Sequence, residues 1–383
     1  MLSCQRPLFN IEREVAYLNA ASYSPLPRVV QAAGEKGVAD KVRPWERNAQ
    51  AAQQIVEAAR AGAARLIGAS ADDIAIVGAA SYGIATALAN LSIPAGTRIL
   101  LLEGEHSSLN LGLARFARSS GTHLDVVARP KDGDWTRAVL ARVDVPDAPA
   151  IGLAALTPLH WTDGSLVDLA RIVPELHRRR SAIVIDATQA AGVMALDVAE
   201  LKPDFLMFPT YKWLLGPYGI AFLYVAPHWQ SSRPLEEHAF NRQSYDSALK
   251  TSTEGLPYLE GARRFDRGER DSFITIPMAR ASLDVIHSWG VGEIEARLRL
   301  ITDLLTERLS ALGVEFAPRH LRAPHILGLR LPKGSAADAA NEMERASIFV
   351  SVRHGFLRVS PHVFNDEEDV ERLCVWMERY LRR

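Results

Sequence analysis

Between residues 73 and 225, short β-branched runs alternate with longer stretches whose apolar positions recur every three or four residues. The runs at 73–77, 98–102, 123–128, 150–156, 182–186, 204–208 and 219–225 read as strands. The stretches between them, at 81–91, 106–119, 136–143 and 165–179, read as amphipathic helices. Ser165 and Asp168 open the last of these in the manner of a capping box. Strands separated by helices of this length predict an α/β fold, a doubly wound, seven-stranded and mostly parallel sheet. Right-handed crossovers place its ligand crevice at the carboxyl ends of the strands. Residues 212–219 leave no room for a crossover helix, so the last strand is expected to run antiparallel.

The pattern breaks after residue 231. Residues 231–273 are polar, carry no clean period and read as a surface excursion or inter-domain segment. Helical spacing returns at 276–288 and 291–312, with short strands at 313–317, 325–331, 348–353 and 356–360. A final helix is expected over 365–381, with Asn365 as its cap and Glu367 and Glu368 in its first turn. This mixture predicts a second, smaller α+β domain. The resulting division is an N-terminal arm over 1–20, a large domain over 21–260 and a small domain over 261–383. The Ala- and Gln-rich helix at 46–66 is expected to pack across the domains or against a second subunit.

Composition narrows the function classes. The 383 residues carry 44 Lys and Arg against 45 Asp and Glu, a net charge of −1. That leaves no basic surplus for a nucleic acid or an anionic membrane surface. No apolar run reaches the ~18 residues of a membrane span, and residues 1–14 lack the apolar core of a signal peptide. Cys4 and Cys374 stand near opposite ends without partners at metal-ligand spacing, which argues against a zinc module or a disulfide scaffold. The expectation is a cytoplasmic enzyme with no metal and a small-molecule substrate.

The sharpest chemical feature is a pair. Asp186 ends the apolar run Ala182-Ile-Val-Ile-Asp186, and Lys212 follows the next strand in Thr210-Tyr-Lys-Trp213. A strand-end Asp or a surface Lys is commonplace alone, but together they can converge on one ligand. An acid that pairs with a pyridinium nitrogen and a lysine that forms a Schiff base are the two requirements of pyridoxal phosphate chemistry. Gln189, three residues beyond Asp186, adds a donor for the cofactor's phenolic oxygen. Gly192 and the turn Gly216-Pro-Tyr-Gly219 allow close backbone approach. The turn Gly78-Ala-Ala-Ser-Tyr-Gly83 follows the first strand and opens a helix, so Ala80 and Ser81 offer an anion site. It lacks the lysine of an NTPase phosphate loop and the spacing of a dinucleotide fingerprint.

From Tyr17-Leu-Asn-Ala-Ala21 to Leu357-Arg-Val-Ser-Pro-His362, nearly the whole chain resembles the fold-type I pyridoxal-phosphate enzymes of the class V aminotransferase family. That family includes cysteine desulfurases, kynureninases and isopenicillin N epimerase-like proteins. The resemblance implies pyridoxal 5'-phosphate bound as an aldimine on Lys212, which then shuttles protons. It implies Asp186 on the ring nitrogen, His106 stacked on the ring, and Ala80, Ser81 and Tyr211 on the phosphate. Arg358 would grip the substrate carboxylate, with Arg353 as second candidate and Asn19 and His160 close to the substrate. A homodimer with its site at the subunit interface is also implied, Arg270 or Ser272 reaching the cofactor from the second subunit.

The same chemistry supports several reactions. Desulfurases need a nucleophilic cysteine on a loop ahead of the carboxylate-binding arginine, and Val352-Arg-His-Gly-Phe-Leu-Arg358 runs straight through without one. Cys374 falls on the apolar face of the last helix pattern. Persulfide-forming desulfuration is therefore disfavoured. The leading expectation is a class V aminotransferase-like enzyme acting on a small amino acid. The alternatives are a C–S or C–C lyase (kynureninase-like or cystine-lyase-like), an epimerase, and a silent binding paralogue.

Overall fold

The computed structural model describes residues 2–243 and 256–383. All seven expected strands form one sheet: β1 (Ile74–Val77), β2 (Arg98–Leu102), β3 (His123–Val127), β4 (Ile151–Leu156), β5 (Ala182–Asp186), β6 (Phe205–Pro209) and β7 (Ala221–Val225). Their spatial order is β1-β7-β6-β5-β4-β2-β3. As expected, β7 pairs antiparallel with both β1 and β6, and the other pairings are parallel. Alternate residues feed two cores. In β2, Leu100 and Leu102 pack into one, Ile99 and Leu101 into the other. Each such side chain contributes about 1.5–3 kcal/mol by leaving water.

Helices of nine residues or more follow four strands of this sheet: α3 (Ala80–Asn90), α4 (Ser107–Ser120), α5 (Trp135–Val143) and α6 (Leu169–Arg178). Ahead of them lie α1 (Arg28–Val42), which the pattern missed, and α2 (Ala49–Leu66). The capping expectation for α6 is corrected. Asp168 is itself the cap and accepts from Arg171 N–H, while Ser165 bridges to Arg322 in the C-terminal part of the chain.

The C-terminal part of the chain holds α7 (Thr275–Trp289), α8 (Val291–Ser310), α9 (Ala336–Arg345) and α10 (Glu367–Arg382). Its antiparallel sheet contains β8 (Leu327–Leu329), β9 (Ser351–Arg353) and β10 (Phe356–Val359), in the order β9-β10-β8. The strand expected at 313–317 is only a bridge between Glu315 and Arg330. The run at 348–353 divides between two sheets, because Ile348–Phe349 pairs instead with Ala16–Tyr17 of the N-terminal arm. The cap of α10 is Asp366 in a capping box with Asp369, and Asn365 bonds His362 N–H and Asp369 instead.

The polar stretch 231–273 is no mere surface excursion, although its residues 244–255 lie outside the described part. Phe265 and Asp266 are fully buried, and residues 261–266 pack on β1. Helix α7 packs along α1 and α2, so the break expected at residue 260 falls ahead of segments still attached to the large sheet. Polar residues go inside here because their charges are paired. Asp266 receives two bonds from Arg60 on α2, at 2.9 and 2.7 Å, and one from Ile76 N–H on β1 at 2.8 Å. Arg270 closes the cluster from 3.2 Å.

Asp266→Ala should strand the buried Arg60 and Arg270 charges and the Ile76 N–H. We expect a loss of about 3–5 kcal/mol, read as a lower denaturation midpoint at unchanged transition slope; a variant within experimental error of wild type would contradict this role.

Candidate active site

The carboxyl ends of β4, β5 and β6 open into a cavity of about 760 Å³. Ala80, Ser81, His106, Asp186, Gln189, Tyr211 and Lys212 all line it, so seven expected site residues from four segments come together. Asp186 is the last residue of β5, 6% exposed, and its Oδ1 accepts Thr188 N–H at 2.9 Å. Lys212 sits in the loop that returns β6 to β7. Thr210 ties that loop by donating to the Pro217 and Ile220 carbonyls at 2.6 and 3.1 Å. Gly216 is required there, since a Cβ would meet Thr210 Cβ at 2.7 Å. No acid ion-pairs with Lys212 among the described residues. Burial and the charges of Arg358 and Arg353 push its ammonium down to about 8 against the pull of Asp186. A lysine so placed is available as a neutral amine near physiological pH.

The other cavity residues take more specific postures. Helix α3 begins at Ala80 without a side-chain cap, which leaves its first N–H groups free for an anion. His106 caps α4, contacts Ser108 Oγ at 2.5 Å and meets Trp161 edge-on at 5.4 Å; burial and Lys212 lower its pKa. Tyr211 stacks on Tyr218 at 4.1 Å, and burial pushes its phenol up to about 12. The Gln189 oxygen accepts Trp213 Nε1 at 2.7 Å and its nitrogen donates to Ala21 O at 3.2 Å, leaving one N–H for a ligand. Behind this wall His325 donates to Gln189 O at 2.6 Å and His362 to Trp213 O at 3.1 Å. Burial holds both histidines neutral, at about 3 and about 4.

Arg358 and Arg353 stand beside the cavity, behind Trp161. Arg358 is 1% exposed and spends its donors on Ser351 Oγ, Trp161 O and Ser22 Oγ at 3.1, 2.9 and 2.9 Å. Arg353 reaches the same Ser22 hydroxyl at 3.1 Å. Asn19 stays outside the cavity lining and orients that hydroxyl by accepting it at 2.8 Å. Neither arginine has an acidic partner among the described residues, and burial with the Arg353 charge pulls Arg358 down to about 9. Two neighbouring guanidinium groups without a counter-ion make a ready anion site.

Three expected roles do not match the geometry. His160 faces away from the cavity, stacked on Trp135 at 5.0 Å and bonded to Glu103 O at 2.9 Å. Its neighbour Trp161 takes the place in the wall. Arg270 is bound within its own chain to Asp266 and Phe240 O, and Ser272 accepts Ile274 and Thr275 N–H at the start of α7. Sequence reasoning missed Glu105 and Thr157, both in the cavity wall, and within the run His160-Trp-Thr-Asp-Gly164 it chose His160 where Trp161 lines the cavity. For Glu105 a signal existed, an acid directly beyond an apolar strand and just before His106.

With this geometry established, likeness to known proteins follows it closely. The family model for aminotransferase class-V matches residues 16–373. The chain belongs to that family. An uncharacterized aminotransferase, YcbU, of Bacillus subtilis is 26% identical over 84% of this chain and 83% of its own length. A kynureninase of Deinococcus radiodurans is 27% identical over 84% and 78%, and an isopenicillin N epimerase of Streptomyces clavuligerus 25% over 95% and 94%. An apo cysteine desulfurase from Thermococcus onnurineus superposes with a TM-score of 0.85 at 22% identity, over 100% of this chain and 99% of its own. The cystine C–S lyase C-DES, in complex with cysteine persulfide, gives 0.83 at 20%, over 95% and 97%. The fold is thus fold type I, and the chain is a pyridoxal-phosphate-dependent enzyme of the class V group. The residues present fit that cofactor. A free helix N-terminus suits its phosphate, an unpaired buried Asp186 its ring nitrogen, and an unpaired buried Lys212 its aldehyde.

Two outcomes follow. Borohydride should trap a covalent cofactor adduct in the wild type and none at this site in Lys212→Ala; an undiminished adduct in the variant would sink the assignment. Because His325 and His362 have folded-state values below the ordinary 6.5, the unfolded chain binds more protons between those limits. Stability should therefore be complete above about pH 6.5 and fall as pH drops toward 4, with His325→Asn giving a shallower decline in pH-dependent denaturant titrations.

Proposed function

We propose that this enzyme transforms a small amino acid at its α-carbon, with transamination as the leading reaction. The observation that carries this reading is the meeting of unpaired Asp186 and Lys212 in one cavity, beside the unpaired Arg358–Arg353 pair. When bound, pyridoxal phosphate supplies an electron sink that weakens the bonds at the substrate α-carbon. Asp186 would hold the ring nitrogen and favour its protonated form. Lys212 Nζ would hold the aldehyde carbon of the cofactor and, as a neutral amine, would carry a proton to or from the substrate α-carbon. Its lowered pKa suits both tasks near neutral pH. Arg358 holds the substrate carboxylate and so aims the α-carbon at Lys212.

A persulfide route is disfavoured, because no thiol lines the cavity. Cys374 lies in the small-domain core, its thiol pushed up to about 11 by burial, and Cys4 donates to Phe364 O. The segment between Arg353 and Phe356 is a two-residue turn, His354-Gly355, with both residues at positive φ. A C–S or C–C lyase is the second reading, favoured by Tyr211 in place of the histidine that desulfurases carry before the lysine. We also infer a homodimer in a reducing cytoplasm, supported by free Cys4 and Cys374 and by the exposed apolar strip Val38, Val42 and Trp45.

Incubating the holoenzyme with L- and D-amino acids separates the reactions. Conversion of the cofactor to its pyridoxamine form supports transamination, release of pyruvate or sulfide supports the lyase, and solvent deuterium uptake without net product supports epimerisation. Arg358→Ala should raise KM for amino acids about 10- to 100-fold and leave amines lacking the carboxylate unaffected. Equal losses for both would move the carboxylate site elsewhere.

A further inference from the structure

The cavity wall contains a second carboxyl group that the reaction described above does not use. Glu105 follows β2 in the turn leading to α4, is 5% exposed and lines the cavity beside His106. Each of its oxygens is held by one donor. Oε1 accepts the Thr157 hydroxyl at 2.7 Å, and Oε2 accepts His106 N–H at 3.2 Å. The carboxyl therefore ties the end of β4 to the residue that caps α4.

No cation ion-pairs with Glu105 among the described residues. Arg129, the positive group whose field reaches it, is committed to Asp163, Thr162 and His160. Asp186, at the end of β5, is the negative group that faces it. Burial and the Asp186 charge favour the protonated form. The Thr157 hydroxyl, His106 N–H and Arg129 favour the carboxylate. The balance pushes the group up to about 7.

We propose that Glu105 is a positioning residue of the cofactor site: its carboxyl orients His106 and, by taking up or releasing a proton within the field of Asp186, sets how firmly the site holds a protonated ring nitrogen. With Glu105 ionised, the site presents two negative charges to the pyridinium. With Glu105 neutral it presents one. The proton exchanges with solvent, so no further reactant is needed. This inference rests on pyridoxal phosphate being the group that Asp186 faces.

Glu105→Gln separates charge from position. An amide can accept His106 N–H and donate to the Thr157 oxygen, so the tie between the two segments is kept while the ionisation is lost. The visible absorbance and the cofactor dissociation constant of the loaded protein are followed from about pH 5.5 to 8.5. Besides the Lys212 titration near 8, which both proteins keep, the wild type should show a second transition near 7 in both readouts, and E105Q should lack it. Thr157→Val withdraws a donor that favours the carboxylate, so it should move the second transition to higher pH; it also decides the matter if E105Q fails to fold. A wild-type profile without the second transition, that transition retained in E105Q, or one unmoved in T157V overturns the inference alone. A wild type that gains no visible band on loading overturns the cofactor reading and this inference with it.

Discussion

A sheet whose two faces are both covered by other layers can display chemistry only at the ends of its strands. In this protein β1, β2, β6 and β7 are buried along their full length, so their side chains are committed to packing. Asp186 escapes that commitment by being the last residue of β5, and Lys212 by lying one turn beyond β6. The parallel register of β5 and β6 sets Asp186 beside Met207 and carries both strands to the same edge. The helix starts of α3 and α4 arrive there as well, because β1 and β2, which they follow, run in the same direction as β5 and β6. The cavity is the consequence of this one geometric constraint.

Charge is the second organising quantity. Elsewhere in the molecule buried charges are paired, as Arg60 is with Asp266 and Arg98 with Asp125. Around the cavity Asp186, Lys212, Arg353, Arg358 and Glu105 have no ion-pair partner among the described residues. Burying such groups alone is unfavourable unless a ligand completes them. Their arrangement suits the ligand set proposed above, a cationic ring, an electrophilic carbon and a carboxylate. The lowered values of Lys212 and Arg358 and the raised value of Glu105 have a common origin in that desolvation.

Much of this was legible from residue order. Short β-branched runs alternating with stretches of three-to-four-residue period located all seven central strands and the four helices expected between them, since most of those runs are predominantly apolar. The shortage of residues between Lys212 and Ala221 was enough to predict the antiparallel strand. Reading failed where neighbours distant in sequence decide the outcome. Ser165 resembles a cap but pairs with Arg322, and Asn365 yields its capping position to Asp366. The polar run around Asp266 looked solvated because the arginine that buries it, Arg60, lies 206 residues away in the chain. His160 and Trp161 differ by one step along a loop, and only the loop's path decides which of them faces the cavity.

By itself, the order of residues determined the class of fold and the position of the sheet edge, and it singled out Asp186 and Lys212 as the pair proposed to anchor the cofactor. These depend on local periodicity and on residue types that serve few other purposes in combination. The tertiary structure alone decided which candidates are free to act. It engaged Arg270, Ser272 and His160 in contacts within the chain, gathered Asn19, Ser22, Arg353 and Arg358 from opposite ends of the sequence, and brought Glu105 into the cavity wall near Asp186. Hydrogen-bond partners and desolvation depend on what packs against a group in space, and that information is not carried by its neighbours along the chain.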